Sequence, residues 1–311
     1  GLDFVAITDH NTIEGFKELR GDLDFLVIPG LEITFDRGHL NVFGMDTWRD
    51  WMDGICGDQI MVSMPTRYQS INELTSQINN QGYLNSINHP LLDPWDWRYE
   101  DTDLRRIHCV ELWNDLYWPP NASANPKFVR MWSNWLNAGH RITAIGGSDY
   151  HVPPRPEENK FGERLGYPTT FVYADELSVT GIAAGLRQQR AYVSQGPEVN
   201  FKAKINGQIF GIGADVGEQE GKITFEVTIF SELKITQAQL VKNGQVFAEA
   251  QVDGNNSPIS FSDSLNADNS VWYRLDIAAP DGQVLAITNP IYTGPRREPT
   301  LFKYSDFVSE R

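Results

Sequence analysis

Cysteine is nearly absent from this sequence: Cys56 and Cys109 are the only two in 311 residues. They show no paired spacing, which excludes a thiolate zinc module or a disulfide framework as the organising device, although a single bridge between them stays open. Long apolar runs are missing as well. None approaches the roughly 18 residues that a membrane-spanning helix needs, so no spanning segment is expected. Positive charge is scarce, with 26 Lys and Arg against 41 Asp and Glu and a formal net charge of -15. A surface of that sign repels phosphate backbones, which excludes a general nucleic-acid-binding surface. Small anionic substrates are not excluded, because bound divalent cations reverse the field inside a site.

What is present is a chain rich enough in apolar (41%) and aromatic (12%) residues to bury a sizeable core, in one large domain or two ordinary ones. It opens with Gly1 and enters a strand-like FVAIT within two residues, with neither Met, charged leader nor apolar signal segment. That opening reads as a fragment of a longer protein, so the missing leader carries no information on compartment. The Lys-poor, Asn-rich composition leans towards an extracytoplasmic home. Nothing in the sequence bears on oligomeric state.

To about residue 195, short β-branched runs alternate with stretches of helical period, the pattern of an α/β domain. Residues 3–8, 24–30, 83–88, 108–114, 141–147 and 169–174 read as strands, and 71–81, 126–138 and 179–189 as helices. In the second helix Phe128, Met131, Trp132 and Trp135 fall at helical spacing, which suits a core stripe. Repeated strand-helix units favour a barrel-like or open parallel sheet.

The composition changes after Gly196-Pro197. All six histidines and eight of the nine tryptophans lie before that point, and alternating apolar residues with Gly, Asn and Asp follow it. Residues 196–294 therefore read as an immunoglobulin-like β-sandwich, with Asn243-Gly244 and Asp281-Gly282 as hairpin turns. Such a domain packs by default against its neighbour. The glycines of NGQIFGIGADVG read as turns and bulges rather than a phosphate loop, since no helical pattern follows. The tail, 295–311, has no readable structure.

The chemistry is carried by a coincidence. Four times in the first domain an apolar strand ends in metal-ligand residue types: Asp9-His10 after FVAIT, Glu32 and then His39 after IPGL, His89 after LNSIN, and Asp149-Tyr150-His151 after ITAIGGS. Side chains at the C-terminal ends of parallel strands converge over one rim, and imidazole with carboxylate suits Zn, Mn or Fe(II). His108 and His140 precede their strands and belong at the opposite rim as surface or structural residues. Each candidate also has a plainer reading. Asp9-His10-Asn11-Thr12 suits a helix cap, Glu32 a pair with Arg37, His89-Pro90 a turn, and Asp149 with His151 a loop hydrogen-bond network. A serine nucleophile is disfavoured: Ser148, Asp149 and His151 are too close in sequence for a triad, and no G-x-S-x-G elbow exists.

Taken together, ITDHN at 7–11, PGLEIT at 29–34, GHLNVFG at 38–44, NHP at 88–90 and GGSDYH at 146–151 resemble, in order and spacing, the PHP (polymerase and histidinol phosphatase) domain over most of residues 1–195. The stretch 166–171, then GIAAGLRQQRAYVSQGPEV and a sandwich, resembles the CehA/McbA branch of those metallohydrolases. The resemblance implies a distorted (β/α)7 barrel holding two or three divalent cations, usually Zn, Mn or Fe. It further implies that Glu32 bridges two cations, that His39 and His89 complete one, that Asp149 binds the other, and that His10 and His151 hold a third. Asp9 would orient its neighbour or a bound water. The family's opening H-x-H strand and S-D-G loop are not in this chain, so one cation would lack two imidazoles, which puts the activity of this stretch alone in question.

The expected activity is hydrolysis of a small-molecule ester, foremost a phosphate mono- or diester, with Asp9, Glu32 and Asp149 as catalytic carboxylates. Arg155, Lys160 and Arg164 are candidates to bind the phosphate charge. Trp95 and Trp97 are candidates for the pocket mouth, though ordinary burial suits them equally, and Glu111 and Asn114 end another strand at the same rim. Two rivals stand beside this reading: the same metals acting on a carbamate or carboxylic ester, and a non-catalytic metal-binding scaffold.

Overall fold

The structure, a computed structural model, describes residues 1–19, 23–55, 61–151, 164–252 and 255–310. In chain order the first part contains β1 (Phe4–Ile7), α1 (Glu14–Glu18), β2 (Leu26–Phe35), β3 (Gly38–Phe43), α2 (Ile71–Asn80), β4 (Leu84–Ile87), β5 (Cys109–Asn114), α3 (Asn121–Asn137) and β6 (Thr143–Gly147). These six strands form one sheet in sequence order. β1 and β2 are parallel, β3 runs antiparallel to both its neighbours, and β4, β5 and β6 are parallel again. All strands but β3 therefore share one direction, and their C-terminal ends share one rim.

This is not the expected (β/α)7 barrel. Only four α-helices accompany seventeen strands among the described residues, and the six-stranded sheet curls into a half-barrel, with β1 and β6 as its outer strands. The reason is local. Between β2 and β3 the chain has only Asp36-Arg37, too short for a helix, so a hairpin forms where a strand-helix unit was expected. Gly38 makes the turn possible: its φ is +124°, and a Cβ there would come within 2.8 Å of the Trp97 ring. Between β4 and β5 the crossover is a loop with one 3-10 turn, Leu104–Arg106.

The second part holds β7 (Thr169–Val172), α4 (Val179–Arg187), β8 (Ala191–Ser194), β9 (Glu198–Ile205), β10 (Gln208–Gly211), β11 (Gly221–Phe230), β12 (Gln237–Lys242), β13 (Gln245–Gln251), β14 (Ile259–Leu265), β15 (Val271–Ala278), β16 (Val284–Thr288) and β17 (Ile291–Thr293). One sheet has the order β10-β9-β11-β14, the other β13-β12-β15-β16-β8-β7, with β17 also on β15. Their inner faces enclose a common core in which Phe201 and Phe225 of one sheet meet Tyr273 and Leu275 of the other. Along β9 every second residue is buried and those between are exposed or half-buried, the period-two signature of such a face. The composition break near residue 196 is not the edge of this sheet, because β7 and β8 from the histidine-rich side pair into it. Asn243 and Gly244 both take positive φ in the β12–β13 turn, as their sequence favours.

α2 and α3 cover the half-barrel through amphipathic stripes. Ile71, Leu74 and Ile78 of α2 are buried, as are Phe128, Met131, Trp132 and Trp135 of α3. The tail, unreadable in sequence, runs back across α3: Tyr304 packs edge-on to Trp135, and its hydroxyl donates to the Pro90 carbonyl at 3.2 Å. His140 fixes the same segment through Nε2 and the Leu301 carbonyl, 2.8 Å apart. No described helix is long and apolar enough to cross a membrane.

His108 lies at the end of the sheet opposite the strand ends that carry the ligand types. Its Nδ1 accepts from the Asn85 backbone N–H at 3.3 Å, and its own N–H donates to Asn85 Oδ1 at 3.0 Å. Burial, helped by the charge of Arg187, lowers its pKa from 6.5 to about 4. The folded state thus holds His108 neutral where the unfolded chain accepts a proton. Its contribution to stability is complete above pH 6.5 and is lost as the pH falls to about 4. Urea titrations at pH 7 and pH 4 should show this loss in the parent protein. His108→Gln should remove about 1–2 kcal/mol of it, a range that allows for partial exposure.

Candidate metal centre

The β2–β3 hairpin builds the centre. In its register Glu32 faces Asn41 and Thr34 faces His39, so all four side chains share one face, while Leu31, Ile33, Leu40 and Val42 fill the core on the other. β1 is extended towards this face by a bridge between His10 and Glu32. Asn11, 2% exposed and at φ +54°, fixes that extension: its Oδ1 accepts from the Thr34 N–H at 2.8 Å. His89 arrives from the end of β4 and Asp149 from the end of β6, at φ +26° and +47°. Left-handed backbone costs a non-glycine residue about 1 kcal/mol or more, and here both instances sit where a side chain is turned over the sheet end.

At the centre is the buried carboxylate of Glu32. Oε1 lies 2.8 Å from His39 Nδ1 and 3.7 Å from His89 Nε2, while Oε2 lies 3.4 Å from His10 Nδ1. One ligand atom each from Glu32, His39 and His89 falls within 4.8 Å of the others. His10 also contacts Thr34 Oγ1 at 2.6 Å, and its Nε2 lies 3.1 Å from His151 Nε2. Asp149 joins through Asn114, whose Nδ2 donates to Asp149 Oδ2 at 3.4 Å and to Glu111 Oε2 at 3.2 Å. Glu111 in turn accepts from the His89 N–H at 2.9 Å and so holds the residue that carries the imidazole.

The charges are strongly interdependent. Burial by itself would raise the Glu32 pKa, but hydrogen bonding to His39 and His89 and their charges bring it well below the ordinary carboxylate range. Burial lowers the His39 pKa. At His89 burial acts the same way, but Glu32, Glu111 and Asp149 outweigh it and lift the imidazole to about 9. Burial pushes Glu111 up to about 8. His39 Nε2 and His89 Nδ1 are buried without a hydrogen-bond partner. A buried carboxylate beside imidazole nitrogens that nothing in the protein satisfies is a donor set that fits a divalent cation, and the triad Glu32, His39 and His89 is able to hold one.

The other sequence candidates are placed differently. The Asp9 carboxylate lies against Gly15, where a Cβ would collide with Oδ2, while the Asp9 carbonyl accepts from the Glu32 N–H at 3.0 Å. Trp97 is fully buried, with Nε1 donating to Thr102, and Trp95 packs on Trp118 at 6.3 Å between centroids. Arg164 is exposed, and Arg155 and Lys160 lie outside the described residues. Thr34, Asn41 and Asn88 were not singled out from sequence. Buried Oδ1 atoms of Asn41 and Asn88 without partners put both among the polar groups of this face. The available signal was the spacing of two along GLEITF and GHLNVF, which shows the polar face once both segments are taken as strands.

No family model matches this chain, and no curated protein matches it. Among solved structures, pectate lyase Pel3 from Pectobacterium carotovorum is similar over 24% of this chain and 24% of that chain, at 20% identity and a TM-score of 0.18, a likeness that carries no argument about fold or activity.

Proposed function

We propose that this protein is a metal-dependent hydrolase of small-molecule esters. The observation that carries the reading is the buried Glu32, His39 and His89 triad with its unsatisfied imidazole nitrogens. Glu32, His39 and His89 would hold one divalent cation of the Zn, Mn or Fe kind. A second position is supported by Glu32 Oε2, which faces away from His39 towards His10, and by His10 and His151, whose facing nitrogens need a proton or a cation between them. Such cations supply Lewis acidity, activating water and stabilising the charge that develops on the departing oxygen. The protein's own part is positional. Glu111 and Asn114 orient His89 and Asp149, Asn11 and Thr34 orient His10, and the apolar side of the hairpin keeps water from the back of the triad.

A phosphate ester is the substrate that the sequence motifs favour. A second reading, a carbamate or carboxylic ester, is favoured by one specific observation: among the described residues the cavity that opens on the centre is lined by no Lys or Arg. Elemental analysis of the purified chain tests the metal, and a panel of phosphodiester, carbamate and carboxylic ester substrates chooses the chemistry. At least one Zn, Mn or Fe per chain is expected, falling in His89→Ala and in Asp149→Ala. Absence of stoichiometric metal would sink the hydrolase reading.

A further inference from the structure

Beside the triad, the middle of the sheet carries a second polar group whose free donors are all oxygens. Strand register places it. Leu40 pairs with Ile87 and Ile87 with Val110, so one step further along Asn88 lies between His39 of β3 and Glu111 of β5, on the same face. The Asn88 N–H donates to the His39 carbonyl at 3.1 Å. The next N–H, that of His89, donates to Glu111 Oε2 at 2.9 Å and holds this carboxylate against the Asn88-His89 peptide. Asn114 Nδ2 donates to the same Oε2 at 3.2 Å and to Asp149 Oδ2 at 3.4 Å, which draws the two carboxylates together. Asn88, Glu111 and Asp149 line one and the same space.

A cation at the triad leaves much of this group unexplained. Asn88 is 3% exposed, and its buried Oδ1 has no hydrogen-bond partner among the described residues; the same holds for Asn41, which faces Glu32 across the β2–β3 ladder. A buried carbonyl oxygen left unmet is destabilising, and two on one face call for something that binds oxygen. Glu111 takes both of its donors on Oε2, while Oε1 lies against Gly147, where a Cβ would come within 2.8 Å of it. Gly147 does not take a positive φ, so its missing Cβ supplies room beside that oxygen rather than backbone freedom. The donor chemistry also differs from that of the triad. Two carboxylates and an amide carbonyl suit hard cations, whereas two imidazoles with one carboxylate suit Zn or Fe.

We propose that Asn88 Oδ1, Glu111 Oε1 and the Asp149 carboxylate hold a hard divalent cation, Mn²⁺, Mg²⁺ or Ca²⁺, beside the softer cation of the triad. Cations of this class keep part of their water, and Asn41 Oδ1 is an acceptor for it. The centre then discriminates between metals by donor type: imidazole selects the cation on Glu32, His39 and His89, and oxygen selects its neighbour. That the second cation takes part in ester hydrolysis rests on the hydrolase reading above; that it binds does not.

Manganese binding to the chain already loaded with zinc tests this without any substrate. The EDTA-treated chain receives one equivalent of Zn²⁺, and Mn²⁺ is then titrated while the electron paramagnetic resonance signal of the free aqueous ion is followed. One Mn²⁺ per chain is expected, released by excess Mg²⁺ or Ca²⁺ with the zinc left in place. Asn88→Leu removes the amide oxygen at nearly constant volume, and Gly147→Ala sets a methyl group against Glu111 Oε1. Each is expected to weaken Mn²⁺ binding at least about tenfold and to leave zinc per chain unchanged. Because Asn88 Oδ1 has no partner among the described residues, Asn88→Leu should also leave the urea midpoint of the metal-free chain unchanged or raised. Failure of the zinc-loaded chain to bind Mn²⁺ at millimolar concentration would overturn the proposal. So would Mn²⁺ that the first equivalent of zinc expels, which would place both ions at the triad, or parental Mn²⁺ affinity in both folded variants. Mn²⁺ bound beside zinc with no ester cleaved would remove the hydrolase and keep this site; ester cleavage with zinc alone and no Mn²⁺ bound would keep the hydrolase and remove the site.

Discussion

Glu32→Gln is expected to lower metal affinity at least about a hundredfold, because it replaces the one anionic donor that reaches His10, His39 and His89 together. The substitution is nearly isosteric, so the hairpin register and the buried face of Leu31 and Ile33 should persist. What changes is charge. With the carboxylate gone, the buried His89 imidazole loses one of the carboxylates that raise its pKa and His39 loses its hydrogen-bond partner, and the metal-free variant is expected to be less stable by about 3 kcal/mol at pH 7. Elemental analysis after dialysis reads the first effect and urea unfolding the second. Glu111→Gln is the comparison. Glu111 touches the His89 backbone and Asn114 rather than an imidazole, so its loss is expected to cost about tenfold in metal affinity. Metal retained by Glu32→Gln at the level of the parent protein would remove Glu32 from the centre.

Arg274→Ala is expected to be the most destabilising substitution outside the centre, at about 3–5 kcal/mol. Arg274 is 4% exposed and lies on β15, where it makes a two-pronged pair with Asp276 at 2.8 and 3.0 Å. It also donates to Ser133 Oγ of α3 at 2.8 Å and sits 5.5 Å from the Trp132 ring and 5.8 Å from that of Trp272. Truncation leaves the Asp276 carboxylate, only 6% exposed, buried without a partner and removes the polar link between α3 and the sandwich. Asp276→Asn in the same background should recover part of the loss, since it removes the stranded charge; a double-mutant cycle in urea measures that coupling. A change below about 1 kcal/mol for Arg274→Ala would show that the pair is not needed to hold the two sheets' helices and strands together.

Much of the centre was legible because ligand chemistry is written at strand ends. FVAIT, LNSIN and ITAIGG each name a strand by their β-branched residues, and the polar residue that follows is delivered to the rim whatever the rest of the fold does. His108 and His140 sorted to structural roles by the same rule, from their places before β5 and β6. The β2–β3 hairpin was harder. Residues 26–35 and 38–43 are nearly continuous in apolar character, and the turn between them has only two residues, so a single strand at 24–30 was expected where two paired strands formed. That pairing brings Thr34 and Asn41 to the face of Glu32 and His39.

The sequence by itself determined β1, β4, β5, β6 and β7, the helices α2 and α3 with the apolar stripe of α3, the acidic composition and the residue types placed at strand ends. These depend on side-chain period and on chemistry within a few residues, which are local. Only the tertiary structure decided which sheet each strand joins. β7 and β8 carry the same β-branched signal as β4 or β6, yet they pair with β16 and the sandwich, and Asn289 ties β8 to β6 through the Ala144 and Ala191 backbones. The half-barrel and the return of the tail over Trp135 follow from such pairings. Hydrogen-bonding edges are alike from strand to strand, so a strand's partner is set by where chain connections and the burial of both faces allow it to lie, and neither is local to its own residues.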